Sequence, residues 1–331
     1  MSNTGSNFVQ QNGSSTSEQA YTPGCLVVKQ YGSYSMAGNV GRTGQSKINQ
    51  DSVFVSKITA EGKALTTKEQ LKNSALKCDW FCAVADGHGA NGHFVSQFIQ
   101  QHMPRQYEIE KRRLERQKQA KDLSAGRPTD DESSQPGSPT LQENQYGVDT
   151  LDKRIRKALC TTYLQVQNKL EKQTGFDCSL SGSTLVGLYQ HENTIYFANA
   201  GDSRGIVIGE STPEAEYMNE RGGDAFSNVQ IVIMAQTRDH KPDLQDEAYR
   251  ILNQYEGQIN NTHAQTLVIQ AIQGQGAVAP PKPSQKLGPP RVWVLNQTYP
   301  GLAMSRSLGD VLAKKAGVIA EPEISSYTYD P

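Results

Sequence analysis

Three aspartates and a histidine are the residue types from which a metal site with an acid beside it could be assembled. Asp86-Gly87-His88-Gly89 follows the apolar run Trp80–Ala85. Glycines on both sides of His88 allow a tight turn in which the backbone approaches a ligand closely. Such a turn presents a carboxylate, a bare carbonyl and an imidazole at the end of one strand. Those are oxygen ligands for a hard cation with an acid beside them. Asp51 precedes the apolar block Ser52–Val55, and Asp202 follows the run Thr194–Ala200 within Gly201-Asp202-Ser203-Arg204. Both are further carboxylates at element boundaries. Each, taken singly, also suits an ordinary polar turn.

The elements that must position them follow from the apolar spacing. Trp80–Ala85 reads as a buried strand that stops at Asp86. Phe94, Val95, Phe98 and Ile99 then recur at helical spacing, giving strand, loop, helix. That helix is expected to continue over 108–121 as a solvated extension, because charges alternate in sign there and few positions are apolar. Asp51 stands at the mouth of a strand over 52–55, preceded by a loop over 38–45 that holds Arg42. An earlier strand is expected at 26–28. A second helix follows an Asp149 or Thr150 cap, with Leu151, Ile155, Leu159, Tyr163, Val166 and Leu170 on one stripe that covers a sheet. Residues 181–189 and 194–200 form a hairpin around His191-Glu192-Asn193. Further strands are expected over 205–208, 229–234 and 291–294, with a short helix carrying Ala248, Ile251 and Leu252. Short strands in hairpins with helices elsewhere imply antiparallel sheets with helices outside.

Composition bounds the rest. The 331 residues carry a formal net charge of −1 at pH 7, so no basic field points to nucleic acid or a membrane surface. Hydrophobic content of 36% and a mean hydropathy of −0.62 are low, as if polar insertions dilute a normal core. Residues 1–23 are expected to be a disordered tail, leaving one domain over 24–331 with polar insertions near 105–148 and 260–288. Five cysteines without regular spacing argue for reduced thiols in an intracellular protein, cytoplasmic or nuclear. Cys78 and Cys82 read as buried thiols rather than half of a zinc site. No apolar run reaches membrane-spanning length, and no signal segment opens the chain. Nothing in the composition fixes the oligomeric state.

Five separated stretches then agree with one family. Asn49-Gln50-Asp51, Asp86-Gly87-His88-Gly89, Ser181–Thr184 with Gly201–Arg204, Asp239-His240-Lys241-Pro242 and Leu302–Asp310 occur in the expected order. The chain resembles the metal-dependent protein serine/threonine phosphatases of type 2C from about Leu26 to Glu323. The resemblance implies an α+β fold, a four-layer α/β/β/α sandwich of two largely antiparallel sheets flanked by helices, with a metal centre at one end. It implies Mg2+ or Mn2+, two per site and a third in some members, and phosphoserine or phosphothreonine proteins as substrates. In that reading Asp86 bridges the metals and the Gly87 carbonyl completes one coordination shell. Asp51 binds a metal or orients its water, and the two ions ready that water for phosphorus. His88 protonates the departing oxygen, and Asp202 matches the further, weaker metal position. Arg42 or Lys47 grips the phosphate, and spacing leaves that choice open. Ser305, Arg306 and Asp310 would hold the loops around the site.

Two departures qualify the resemblance. Gln50 stands where many members carry a Glu that contacts one metal. Family members also continue with strands that supply two more aspartate ligands, whereas this chain stops at Asp330-Pro331. A C-terminally incomplete domain, short of anionic ligands, is therefore implied. Little or no turnover by the chain alone is expected, with phosphoprotein binding or a regulatory role as the alternative.

Overall fold

The computed structural model describes residues 33–35, 39–40, 45–46, 48–59, 62–67, 78–125, 150–211, 230–254, 257–260, 289–294 and 297–329. The tail expected over 1–23, the strand expected at 26–28, Arg42, Lys47 and most of the expected insertion at 260–288 lie outside the described residues.

The first described strands, β1 (Asn39–Val40) and β2 (Gln45–Ser46), pair antiparallel where only a loop was expected. The centre of the fold is the pairing of β3 (Asp51–Thr59) with β5 (Cys78–His88), while β4 (Ala64–Leu65) folds back on the end of β3. Alternation sorts the side chains of the central pair. Phe54, Phe81, Ala83 and Ala85 point into the main core, so Asp51, Val53, Val84 and Asp86 share the opposite face. Strand β5 does not stop at Asp86. Its last two residues pair with β6 (Gly182–Ser183), Gly87 with Ser183 and His88 with Gly182. The chain turns instead at Gly89, whose φ is +80°. The partner strand lies far downstream, so the local glycine pattern alone suggests too early an end.

The large sheet is completed by β7 (Leu185–His191), β8 (Thr194–Ala200), β14 (Leu308–Gly309) and β15 (Glu323–Thr328), in the order β14-β6-β5-β7-β8-β15, with β3 alongside β5 and β4 alongside β3. Helices α1 (Gly92–Ala125) and α2 (Leu151–Lys172) cover one face. Thr150 caps α2, its Oγ1 accepting the Lys153 N–H at 3.2 Å. Ile155, Leu159, Tyr163, Val166 and Leu170 are buried as the stripe requires, while Leu151 in the first turn remains exposed.

The second half of α1 corrects the expectation of a solvated extension. Tyr107, Glu110 and Leu114 are buried, and Lys111 Nζ reaches Asp79 at 3.0 Å and the Tyr189 hydroxyl at 3.2 Å. These positions recur at three- and four-residue steps, so one stripe packs inward while the alternating charges occupy the rest of the helix. The polar stretch expected from 105 thus begins as packed helix.

A second, smaller core lies beyond β8. Strands β9 (Ile206–Ser211) and β10 (Gln230–Gln236) form their own antiparallel ribbon. Helix α3 (Gln245–Tyr249) runs into a π-helical turn over Arg250–Gln254. Strands β11 (Gly257–Asn260), β12 (Arg291–Val294) and β13 (Pro300–Leu302) make a three-stranded sheet, and α4 (Val311–Lys314) follows β14. Ala248, Ile251, Val292, Leu302, Ala313 and Val318 pack together here. Antiparallel pairing and outer helices agree with the α+β expectation. Among the described residues, strands outside the large sheet form small separate sheets rather than a second large one.

The packing of α1 is testable. Leu114→Ala should destabilise the chain by about 2–4 kcal/mol in urea unfolding, as for other buried leucines. Gln117→Ala, on the exposed side of the same helix, should change stability by less than about 0.5 kcal/mol. Equal effects would remove Leu114 from the core.

Candidate active site

The register of β3 and β5 places Asp51 directly opposite Asp86, the first pair of the ladder. Both side chains are exposed at the strand ends. Partial burial, and then the Asp51 carboxylate beside it, raise Asp86 above the usual carboxylate range; Asp202 adds to the effect and His88 opposes it. Two carboxylates share one place, which a proton or a cation makes favourable. An all-oxygen pair of this kind fits a hard divalent ion.

Gly87 has a steric role that the sequence does not announce. A Cβ there would lie 2.4 Å from Gly92 O and 2.6 Å from Gln50 O, so backbone of β3, β5 and the start of α1 converges on this residue. The Asp86 peptide is fixed by Thr184, whose N–H donates to Asp86 O at 2.9 Å and whose Oγ1 accepts the Asp86 N–H at 3.2 Å. Gln50 turns its amide to the loop after His88, with Nε2 donating to Gly89 O at 2.8 Å. A glutamate has no hydrogen to give in that bond.

His88 lies on the same face as Asp86, with Nε2 2.7 Å from Asp310 Oδ2. Burial works against the charged imidazole, but Asp310 and then Asp86 outweigh it and raise His88 above the ordinary histidine value. Asp310 is itself buried, yet His88, Lys314 and Ser307 hold its carboxyl below the usual range. Asp202 joins the cluster through its effect on Asp86 and is ion-paired with Lys241. Arg42 and Lys47 are not among the described residues, so their proximity to the phosphate position stays an expectation.

Ser305 and Arg306 hold the loops by a partner that sequence reasoning missed. Fully buried Glu247 accepts from Arg306 Nη2 at 2.6 Å, Arg250 Nη2 at 2.8 Å and Ser305 Oγ at 2.5 Å. Burial alone would raise its carboxyl, but Arg250, Arg306 and Ser305 bring it to about 2. Nothing in the spacing of a short polar helix marks this residue. The four cysteines among the described residues are free thiols, and burial pushes Cys82 up to about 11. Among the described residues, no group of three or more His, Cys, Asp or Glu side chains is arranged to hold one ion.

Comparison with known proteins adds a second line of observation. The protein phosphatase 2C family profile matches residues 56–331, a span that contains Asp86, Gly87, His88 and Asp202 and begins after Asp51. The probable protein phosphatase 2C 72 of Arabidopsis thaliana is 30% identical over 246 residues, covering 74% of this chain and 55% of the relative. The probable protein phosphatase 2C 14 of Oryza sativa subsp. japonica is 28% identical over 249 residues, covering 74% and 40%. The chain spans about half the length of the curated relatives it matches. The crystal structure of serine-threonine phosphatase 2C from Toxoplasma gondii aligns at a TM-score of 0.44 and 18% identity, over 85% of this chain and 74% of that one.

The opposed carboxylates carry a pH sign. A carboxyl raised by folding costs stability as pH rises through its folded midpoint, and that cost is absent below its unfolded value. Asp51→Asn should therefore lower the Asp86 midpoint in a metal-free carboxylate NMR titration; an unchanged midpoint would separate the two groups. Mn2+ at a hundred times its dissociation constant should raise the melting midpoint by several degrees, on the order of 5 °C. In Asp86→Asn that response should vanish.

Proposed function

Because the chain belongs to the protein phosphatase 2C family, we propose that it hydrolyses phosphoserine and phosphothreonine in proteins with Mg2+ or Mn2+, two ions per site. The observation that carries this reading is the pairing of Asp51 with Asp86 at the mouth of the two central strands, with His88 two residues further on. Asp51, Asp86 and the Gly87 carbonyl would hold the ions. When bound, such ions supply Lewis acidity that lowers the pKa of water and offsets charge developing on phosphoryl oxygens. The remaining work belongs to side chains. Asp51 orients the attacking water, and Arg42 or Lys47 engages the phosphate oxygens. His88, on the same face as Asp86 and with Nε2 2.7 Å from Asp310 Oδ2, gives a proton to the departing serine or threonine oxygen. At Asp202 the Lys241 ammonium already offers positive charge, so a third cation there would have to displace it. Phosphoproteins are the partners in this reading, and the reduced thiols favour an intracellular setting, cytoplasmic or nuclear. No helix among the described residues is long and apolar enough to cross a membrane.

A second reading is a catalytically weak or silent relative that binds phosphoproteins in a regulatory role. It is favoured by one observation: no three ligating side chains converge among the described residues. Phosphate release from a phosphothreonine peptide by the full chain separates the two. Under the first reading release requires Mn2+ or Mg2+ and stops with EDTA. Asp86→Asn should reduce it more than about 100-fold, beyond the loss typical of a merely supporting group. Peptide binding without release would select the second reading. Neither binding nor release would sink both.

A further inference from the structure

A lane free of side chains runs beside His88. Across β5, β6 and β14 the register pairs His88 with Gly182 and Gly182 with Gly309, so a bare Cα separates the outer two residues. A Cβ on Gly182 would lie 2.1 Å from Asp310 Oδ2. The carboxylate of Asp310 thus occupies the volume that a side chain at 182 would fill. From that seat Oδ2 meets His88 Nε2 at 2.7 Å and accepts the Ser307 hydroxyl at 2.6 Å.

The seat is built from several elements. Asp310 adopts φ 46° and ψ 50°, a left-handed conformation unfavourable for a residue with a Cβ, which persists only where its surroundings enforce it. Its N–H donates to Ser181 O at 2.9 Å. From α2, Gln167 clamps the preceding peptide, Oε1 accepting the Gly309 N–H at 2.8 Å and Nε2 donating to Gly309 O at 3.2 Å. The Lys314 ammonium sits beside the carboxylate and donates to Ser307 O at 2.6 Å. On the imidazole, Nδ1 is enclosed and has no hydrogen-bond partner among the described residues. An enclosed polar atom left without a partner is costly, and a ligand group that pairs with it recovers the cost.

We propose that Asp310 is the positioning residue of the proton donor, holding the Nε2–H of His88 so that the unpartnered Nδ1, closed to solvent in this structure, is the nitrogen left for the departing oxygen. The proposal rests on the reading of His88 as acid. In the step, water attacks phosphorus and the bond from phosphorus to the serine or threonine oxygen breaks. That oxygen takes the proton from Nδ1, and the neutral ring keeps its remaining hydrogen on Nε2, bonded to Asp310. A buried carboxylate that fixes tautomer and orientation in this way does not itself exchange the proton.

The test compares Asp310→Asn, His88→Ala and the double variant on a phosphothreonine peptide and on p-nitrophenyl phosphate, whose leaving group departs without a proton. Asp310→Asn should lower kcat on the peptide by about 10–100-fold, with the aryl ester affected less than about threefold. The double variant should be no slower than His88→Ala alone. Equal losses on both substrates, or losses that multiply in the double variant, would assign Asp310 to the fold alone and overturn the proposal. If the wild-type chain turns over neither substrate, the phosphatase reading fails, and imidazole 15N NMR of the wild type still decides the positioning. Long-range nitrogen–hydrogen correlations should place the neutral ring's hydrogen on Nε2; a hydrogen on Nδ1 would overturn it.

Discussion

The like charges of Asp51 and Asp86 face one another because the hydrophobic core leaves them no other arrangement. In the β3–β5 ladder, Ser52 opposes Ala85, Phe54 opposes Ala83 and Ser56 opposes Phe81 on the face that meets α1 and α2. A slip of one residue would turn every one of these side chains outward. With that register set by burial, the alternate residues are set too, and the first outward pair is two carboxylates. Burial of phenylalanine and alanine therefore holds together charges that repel. The repulsion is the free energy available to whatever positive species binds there.

The surrounding backbone is arranged to keep that mouth rigid. Gly87 is gripped between Gly92 and Gln50, Thr184 brackets the Asp86 peptide, and Gln50 ties off the loop at Gly89. These contacts come from β3, β5, β6–β7 and the start of α1, so the site cannot relax without disturbing several elements at once. Such support is what separates a precise ligand geometry from residues that merely lie near each other.

What could be read from the sequence follows how local each signal is. The Thr150 cap and the stripe from Ile155 to Leu170 are visible because a helix repeats within its own turns. The β7–β8 hairpin is visible because its turn lies between its strands. The end of β5 is not, because β6 that extends it lies beyond two helices. Leu114 was hidden by the charges around it, since a narrow buried stripe needs few apolar residues when Lys111 and Glu110 bury polar partners beside it. Asp86, His88 and Asp202 carry types and settings that suggest chemistry by themselves. The contact of His88 with Asp310 spans 222 positions, and no periodicity reports on it. Glu247 is legible only once its arginines are placed around it.

The described carboxylates sort by what answers their charge. Glu247 has two arginines, Asp310 has His88 and Lys314, and Asp79 has His191, Lys111 and the Tyr189 hydroxyl. In all three, burial pushes the carboxyl up and the partners outweigh it, leaving it ionised and fixed. Removing a partner from such a cluster would strand a charge, so each cluster holds the groups around it in place. Asp86 is the opposite case: burial and two neighbouring carboxylates push it up, and only His88 opposes them. Asp202 lies between, close to Asp86 yet answered by Lys241. Among the described residues, Glu247, Asp310 and Asp79 are answered by cationic partners, whereas Asp86 at the mouth of the central strands faces another carboxylate. That place is where an external cation gains most, and the imidazole that could pass a proton to a leaving group stands on the same face.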